Sequence, residues 1–251
     1  NMCGVTGFLT NKEFQEETIV KMTEKLFHRG PDSDGFWIDK NAGLALGHKR
    51  LAILDLSENG HQPMDSPSGR YILSYNGEIY NHLEIRDEIE KTSSSAVMWK
   101  GSSDSETILH AIEKWGIKHS LNIFTGQFAI AIWDKKVKKL FLARDRFGEK
   151  PLYYGFFSNS FVFSSELKAL KVHPSFQVEI DRNSLALFMR YKYIPAQYSI
   201  YKGIFKLKPG TFLTISQDQK KPKIETYWST SRVALEGVRN PFVGSDSQAI
   251  D

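Results

Sequence analysis

Apolar positions along the chain follow two periods. Ile19, Met22 and Leu26 recur at three- and four-residue spacing, which predicts an amphipathic helix over 18–27. Residues 81–91 read as a second helix. Ser103 and Glu106 match a capping box, and Ile108, Ile112 and Trp115 follow at helical spacing. Short apolar runs at 5–9, 36–38, 44–46, 140–143 and 211–215 read as strands, bounded by turns such as Asn41-Ala42-Gly43 and Pro209-Gly210. The strand at 71–75 is expected to end at Asn76-Gly77, and 152–157 with 161–163 reads as a hairpin. Phe128-Ala129-Ile130-Ala131-Ile132-Trp133 is apolar on both alternating faces, so it belongs inside a layered stack. Further helices are expected at 165–170 and 181–191. Many strands, three or four helices and no regular βαβ alternation give an α+β class with stacked sheets and helices outside. From 229 the apolar pattern fades. Residues 229–251 read as linker and 3–228 as the folded unit.

Composition narrows the function classes. Apolar residues make up 41% of the 251 and aromatics 13%, enough for a sizeable core. A net charge of +4, from 33 basic and 29 acidic residues, is a mixed surface rather than a nucleic-acid footprint. No run approaches the ~18 apolar residues of a membrane span, and the N-terminus carries no signal peptide pattern. Neither nucleic acid nor membrane is therefore an expected partner. The seven histidines show no close metal-ligand spacing, so no metal is expected. The single cysteine excludes an intramolecular disulfide and suits a cytoplasmic location.

That cysteine, Cys3, follows Met2 directly. A lone cysteine is ordinarily a small buried hydrophobe. After removal of Met2, however, Cys3 would carry both a thiol and a free α-amine, with reference pKa values of about 8.5 and about 7.7–8.0. A nucleophile and a general base would then share one residue.

Seven blocks in order decide between these readings. They are Met2-Cys3-Gly4-Val5-Thr6-Gly7-Phe8, His28-Arg29-Gly30-Pro31-Asp32, Gly47-His48-Lys49-Arg50-Leu51 with Gln62-Pro63-Met64, Tyr75-Asn76-Gly77-Glu78-Ile79-Tyr80-Asn81, Ser103-Asp104-Ser105-Glu106, Ala143-Arg144-Asp145-Arg146-Phe147-Gly148 with Lys150-Pro151-Leu152-Tyr153-Tyr154, and Ser164-Ser165-Glu166-Leu167-Lys168. Each alone is weak. Together, over residues 2 to about 215, they resemble the N-terminal glutaminase domain of glutamine-hydrolysing asparagine synthetases, class II amidotransferases with an N-terminal nucleophile.

The resemblance implies a four-layer α-β-β-α sandwich of two mostly antiparallel sheets, the Ntn hydrolase fold. It implies hydrolysis of L-glutamine to glutamate and ammonia through a γ-glutamyl thioester on Cys3. Asn76 and Gly77 would stabilise the oxyanion. Arg50 would bind the substrate carboxylate, with Leu51, Ile53 and Leu54 offering backbone groups, and Glu78 and Asp104 would hold the substrate ammonium. Each role has an ordinary rival. Asn76-Gly77 also fits a tight hairpin turn, Arg50 a surface ion pair, and Asp104 a simple helix cap. Arg144-Asp145-Arg146-Phe147-Gly148 also fits a charged turn, and the 28–32 block reads as a loop over the site.

The Ser-Gly-Gly-x-Asp-Ser ATP loop of the family's synthetase domain is absent from the sequence. No cofactor is thus expected in this domain, ATP and Mg belonging to a synthetase domain beyond it, the implied partner that would amidate aspartate. A homodimer is a further possible assembly. Alternatives are an amidotransferase for another acceptor, such as a polysaccharide sugar or antibiotic precursor, a phosphoribosyl or glucosamine type, and an inactive glutaminase-like scaffold. With Asn1-Met2 attached, the nitrogen of Cys3 is an amide. The chain as it stands is expected to have little or no glutaminase activity.

Overall fold

The computed structural model describes residues 2–250, and Asn1 lies outside them. Twelve strands and eight α-helices follow in order: β1 Gly4–Thr10, α1 Glu17–Glu24, β2 Ser33–Asp39, β3 Leu44–Arg50, β4 Met64–Asp65, β5 Tyr71–Ile79, α2 His82–Lys91, α3 Asp104–Trp115, α4 Ile117–Ile123, β6 Gly126–Asp134, β7 Lys139–Arg144, β8 Tyr153–Phe157, β9 Ser160–Ser164, α5 Leu167–Leu170, α6 Arg182–Tyr191, β10 Ile204–Lys206, β11 Thr211–Ile215, β12 Lys223–Thr226, α7 Thr230–Arg239 and α8 Asp246–Ile250.

The strands form two six-stranded sheets, ordered β10-β8-β9-β1-β3-β2 and β12-β11-β7-β6-β5-β4. Each neighbouring pair is antiparallel. The layers follow from where apolar side chains go. Val5, Leu44 and Phe163 of the first sheet meet Ile72, Ala129, Trp133, Leu142 and Leu213 of the second in a central core. The other face of β6 carries Phe128, Ile130 and Ile132, which pack with Ile85 and Ile89 of α2 and Ile108 and Ile112 of α3. Phe8 and Ala45 turn outward to Ile19 and Met22 of α1 and Leu170 of α5. Three cores between four layers are the α-β-β-α arrangement expected. The doubly apolar run in β6 serves two of those cores at once.

Local chemistry sets the element ends. The Ser103 side chain accepts from the Glu106 N–H as the N-cap of α3, and Gly116, at φ +79°, ends the helix in a conformation that favours glycine. The capping box is only half formed. The Glu106 carboxylate reaches back past Ser103 to the N–H groups of Lys100 (2.7 Å) and Gly101 (3.0 Å). Asp181 caps α6 by accepting from Asn183 and Ser184.

The structure corrects three expectations. The strand expected to end at Asn76-Gly77 runs on to Ile79, because β6 supplies partners through Gly126. The helix count is eight among the described residues, not three or four, and the helix expected over 165–170 shortens to α5. Strands β4, β10 and β12 are two to four residues long, too short to show a period. Beyond 229, Ser229 caps α7, an amphipathic helix that buries none of its residues.

The 144–148 block does turn, with the Gly148 N–H on the Asp145 carbonyl at 3.2 Å, but two of its charges are buried. The buried Arg144 guanidinium donates to the carbonyls of Lys150 (2.7 Å), Leu207 (2.7 Å) and Gly148. The buried Asp145 carboxylate accepts from the N–H groups of Phe128, Phe147, Glu149 and Lys150. Together they lock the β7–β8 connection onto β6. No helix among the described residues is long and apolar enough to cross a membrane.

Candidate active site

Cys3 stands at the foot of β1, the third strand from one edge of its sheet, with β9 on one side and β3 on the other. Its backbone is clasped. Arg29 Nε donates to the Cys3 carbonyl at 2.9 Å, Arg29 Nη1 pairs with Glu166 at 2.8 Å, and the Met2 N–H donates to the Arg29 carbonyl at 3.1 Å. The thiol faces the start of the 51–57 loop. Its Sγ accepts from the Leu51 N–H at 3.3 Å and lies 3.6 Å from the Leu51 carbonyl. Burial pushes the thiol pKa above its ordinary value. The Leu51 N–H and the Arg50 and Arg29 charges only partly oppose this, and Asp104 adds to it. A thiol held protonated in this way needs a base to become a nucleophile.

A cavity of about 220 Å³ opens beside Cys3. Its wall brings together every residue singled out in the sequence: Cys3, Arg50, Leu51, Ile53, Leu54, Asn76, Gly77, Glu78 and Asp104.

The β5 wall has the clearest chemistry. Asn76 is 2% exposed, yet its Nδ2 has no hydrogen-bond partner. Alternate residues of a strand direct their backbone groups to the same edge. Phe128, opposite Gly77, turns its N–H and C=O to Asp145 on the far side of β6. The Gly77 N–H therefore points away from β6. Its neighbours along that free edge are taken: the Tyr75 N–H by Gln62 Oε1 (2.6 Å) and the Ile79 N–H by Asp104 Oδ2 (2.9 Å). The Gly77 N–H between them faces the cavity. A Cβ at Gly77 would collide with the Gln127 carbonyl of β6, so a larger residue would push this edge out of register.

Asp104 is not the cap of α3, since Ser103 is. Its Oδ2 accepts from Tyr75 Oη (2.7 Å) and the Ile79 N–H, and burial pushes its pKa up against those two bonds. It puts an acidic side chain on the cavity wall, where an ammonium could meet it. Arg50 donates from Nη1 to the Ser57 carbonyl at 3.0 Å and from Nη2 to the Asp55 carbonyl, so its guanidinium shapes the loop and faces the cavity together. Asp55 is held below its ordinary pKa chiefly by the Ser57 hydroxyl; it also accepts from the Ser102 N–H. Ile53 and Leu54 are exposed at the lip.

Sequence reasoning gave no separate role to Gln62, Arg29 and Lys150. All three lay within quoted blocks, but their contacts join segments far apart in the chain. Gln62 Nε2 donates to Ser105 Oγ at 3.1 Å while its Oε1 holds β5. The 28–32 block, expected as a loop over the site, touches Cys3 through Arg29 and the 51–57 loop through Asp32, which accepts from the Ala52 N–H. Among the described residues no cluster of His, Cys, Asp or Glu is arranged to hold a metal ion.

If Arg50 holds a substrate carboxylate as the resemblance implies, replacing it with alanine should weaken binding of glutamine, the implied substrate, about 10- to 100-fold, the scale of losing charge-assisted hydrogen bonds of about 1.5–3 kcal/mol. Calorimetry is the check. Unchanged affinity would leave Arg50 as a brace for the loop alone.

Comparison with known proteins fits this geometry. Residues 2–228 match the family model of a glutamine amidotransferase domain. Asparagine synthetase (glutamine-hydrolyzing) 3 of Bacillus subtilis is 36% identical over 234 residues, covering 91% of this chain and 37% of its own length. Asparagine synthetase (glutamine-hydrolyzing) 1 of the same organism is 36% identical over 222 residues, covering 86% and 34%. A relative in Methanocaldococcus jannaschii is 38% identical over 246 residues, covering 90% and 46%. The chain thus spans between about a third and just under half of these relatives' length. The solved glutamine phosphoribosylpyrophosphate amidotransferase of B. subtilis shares the fold, at TM-score 0.67 and 22% identity over 91% of this chain and 50% of that one.

Proposed function

This chain belongs to the glutamine amidotransferase domain family, and from that premise we propose that it hydrolyses L-glutamine to glutamate and ammonia on Cys3. The observation that carries the reading is the pair of unpartnered donors, Asn76 Nδ2 and the Gly77 N–H, on the wall of the cavity that holds the thiol.

In a chain that begins at Cys3, the α-amine takes the thiol proton. Sγ then attacks the γ-carboxamide carbon. Negative charge builds on the amide oxygen, where Asn76 Nδ2 and the Gly77 N–H receive it. The amine returns its proton to the departing nitrogen, the C–N bond breaks, and ammonia leaves a γ-glutamyl thioester. Water, deprotonated by the same amine, adds to the thioester and releases glutamate and the thiol. Arg50 holds the substrate carboxylate, and Asp104 with Glu78 holds its ammonium. Leu51, Ile53 and Leu54 offer backbone groups to the substrate. The ammonia is passed to the part of the longer protein that follows this domain, for which aspartate is the acceptor that the named relatives suggest.

The test is covalent capture. A glutamine analogue bearing an electrophile at the γ-carbon should add once, at Cys3, to a chain starting with that residue, read by intact mass and peptide mapping. Excess glutamine should protect, and Cys3→Ser should stay unlabelled. Labelling at another residue, or labelling that glutamine does not slow, would remove Cys3 from the reaction.

A further inference from the structure

The mechanism above leaves one cation on the cavity wall without a role. Lys150 is 8% exposed and lines the cavity, held by its own N–H on Asp145 Oδ2 at 3.0 Å. Its Nζ has a single hydrogen-bond partner among the described residues, the thioether Sδ of Met2 at 3.1 Å. A thioether is a weak acceptor. No carboxylate of the described residues forms an ion pair with Lys150. A buried ammonium in this state is costly, and burial pushes its pKa below the ordinary lysine value. Met2 is the residue whose removal exposes the Cys3 amine.

We propose that Lys150 sets the charge state of that amine, keeping it unprotonated so that it is ready to act as the base. The inference rests on the reading of Cys3 given above. Once Met2 is gone, Lys150 loses its one partner and its ammonium lies across the vacated space from the new α-amine. Two cations so placed disfavour each other. The amine, with a reference pKa of about 7.7–8.0 against about 10.4 for lysine, gives up its proton first.

The other charges around Cys3 have partners, although Arg29 Nη2 is buried without one. Arg29 donates to the Cys3 carbonyl, but its charge is answered by Glu166, which His28 and Lys168 also approach. Arg50 is turned to the carbonyls of Asp55 and Ser57. Asp104 is bound by Tyr75 and Ile79, and Glu78 stands on the same wall. Asp145 spends its oxygens on backbone N–H groups, and Glu149 precedes Lys150 in the same turn. Lys150 is the cation on the cavity wall whose ammonium has neither a carboxylate nor a carbonyl partner among the described residues.

The experiment compares chains beginning at Cys3 with the parent sequence, Lys150→Met and Lys150→Arg. Ammonia release is followed as kcat/KM against pH. Loss of the like charge raises the amine pKa, so the acid limb of Lys150→Met should move to higher pH by about one unit, a tenfold loss on that limb. Lys150→Arg should keep the parent limb. A second readout needs no turnover: the pH dependence of competitive acylation of the α-amine gives its pKa directly, and it should be higher in Lys150→Met. Lys150→Gln carries the same test should Lys150→Met not fold. A loss that is uniform across pH, with the amine pKa unmoved, overturns the proposal and leaves Lys150 a packing residue. If the parent chain releases no ammonia, the glutaminase reading itself fails, and the acylation titration still decides the case of Lys150.

Discussion

A chain trimmed to begin at Cys3 should release ammonia from glutamine about 10²–10⁴ times faster than the chain that carries Asn1-Met2, the range typical of a positioned general base. The expectation follows from what surrounds the thiol. Burial holds it protonated, and no histidine lines the cavity. His48, the nearest in sequence to a site residue, is fully buried between the sheets with Nε2 on the Tyr75 carbonyl at 2.9 Å. Its pKa is pushed down to about 4 by that burial. The α-amine of Cys3 is the base in the proposed reaction, and in the longer chain it is a peptide nitrogen. An ammonia or glutamate assay on both forms decides the matter. Equal rates would exclude the amine from the reaction.

Asn76→Ala should lower kcat about 10²- to 10³-fold, the usual effect of removing one oxyanion donor, while KM for glutamine changes little. Its effect on stability should run the other way. The Asn76 Nδ2 is buried without a partner, and an orphaned donor costs about 1–3 kcal/mol in the folded state. The alanine variant should therefore melt no lower than the parent. A catalytic loss accompanied by a fall in melting temperature would mean that Asn76 supports the fold rather than the transition state.

The layered α+β class was legible because β6 announces itself. Phe128 to Trp133 are apolar on both faces, and the structure puts a core against each. The end of β5 was not legible. Asn76-Gly77 carries the local signature of a turn, and what extends the strand is its register with Phe128, Gln127 and Gly126, some fifty residues away. Asp104 was ambiguous for a comparable reason. Two adjacent residues, Ser103 and Asp104, can each cap a helix, and only Tyr75 and Ile79 decide which of them turns inward. Lys150 and Arg29 meet Met2 and Cys3 only after the chain has closed, so their part in the site has no local pattern. Helix α7 was hidden because its apolar side has nothing to pack on within this chain, which makes its hydrophobic positions look like scatter.

The inner place of β1 in its sheet bears on how the protein is made. β1 pairs with β3, which follows within fifty residues, but also with β9 at Ser160–Ser164. At about 5–20 residues per second on the ribosome, roughly 8–30 s separate the emergence of these two strands. For that interval the first strand lacks its β9 partner. Once β9 arrives, Glu166 comes with it, Arg29 finds its carboxylate, and the segment before Cys3 is drawn against the wall that holds Lys150. The wall around Cys3 is thus completed only by residues made more than 140 positions later in the chain.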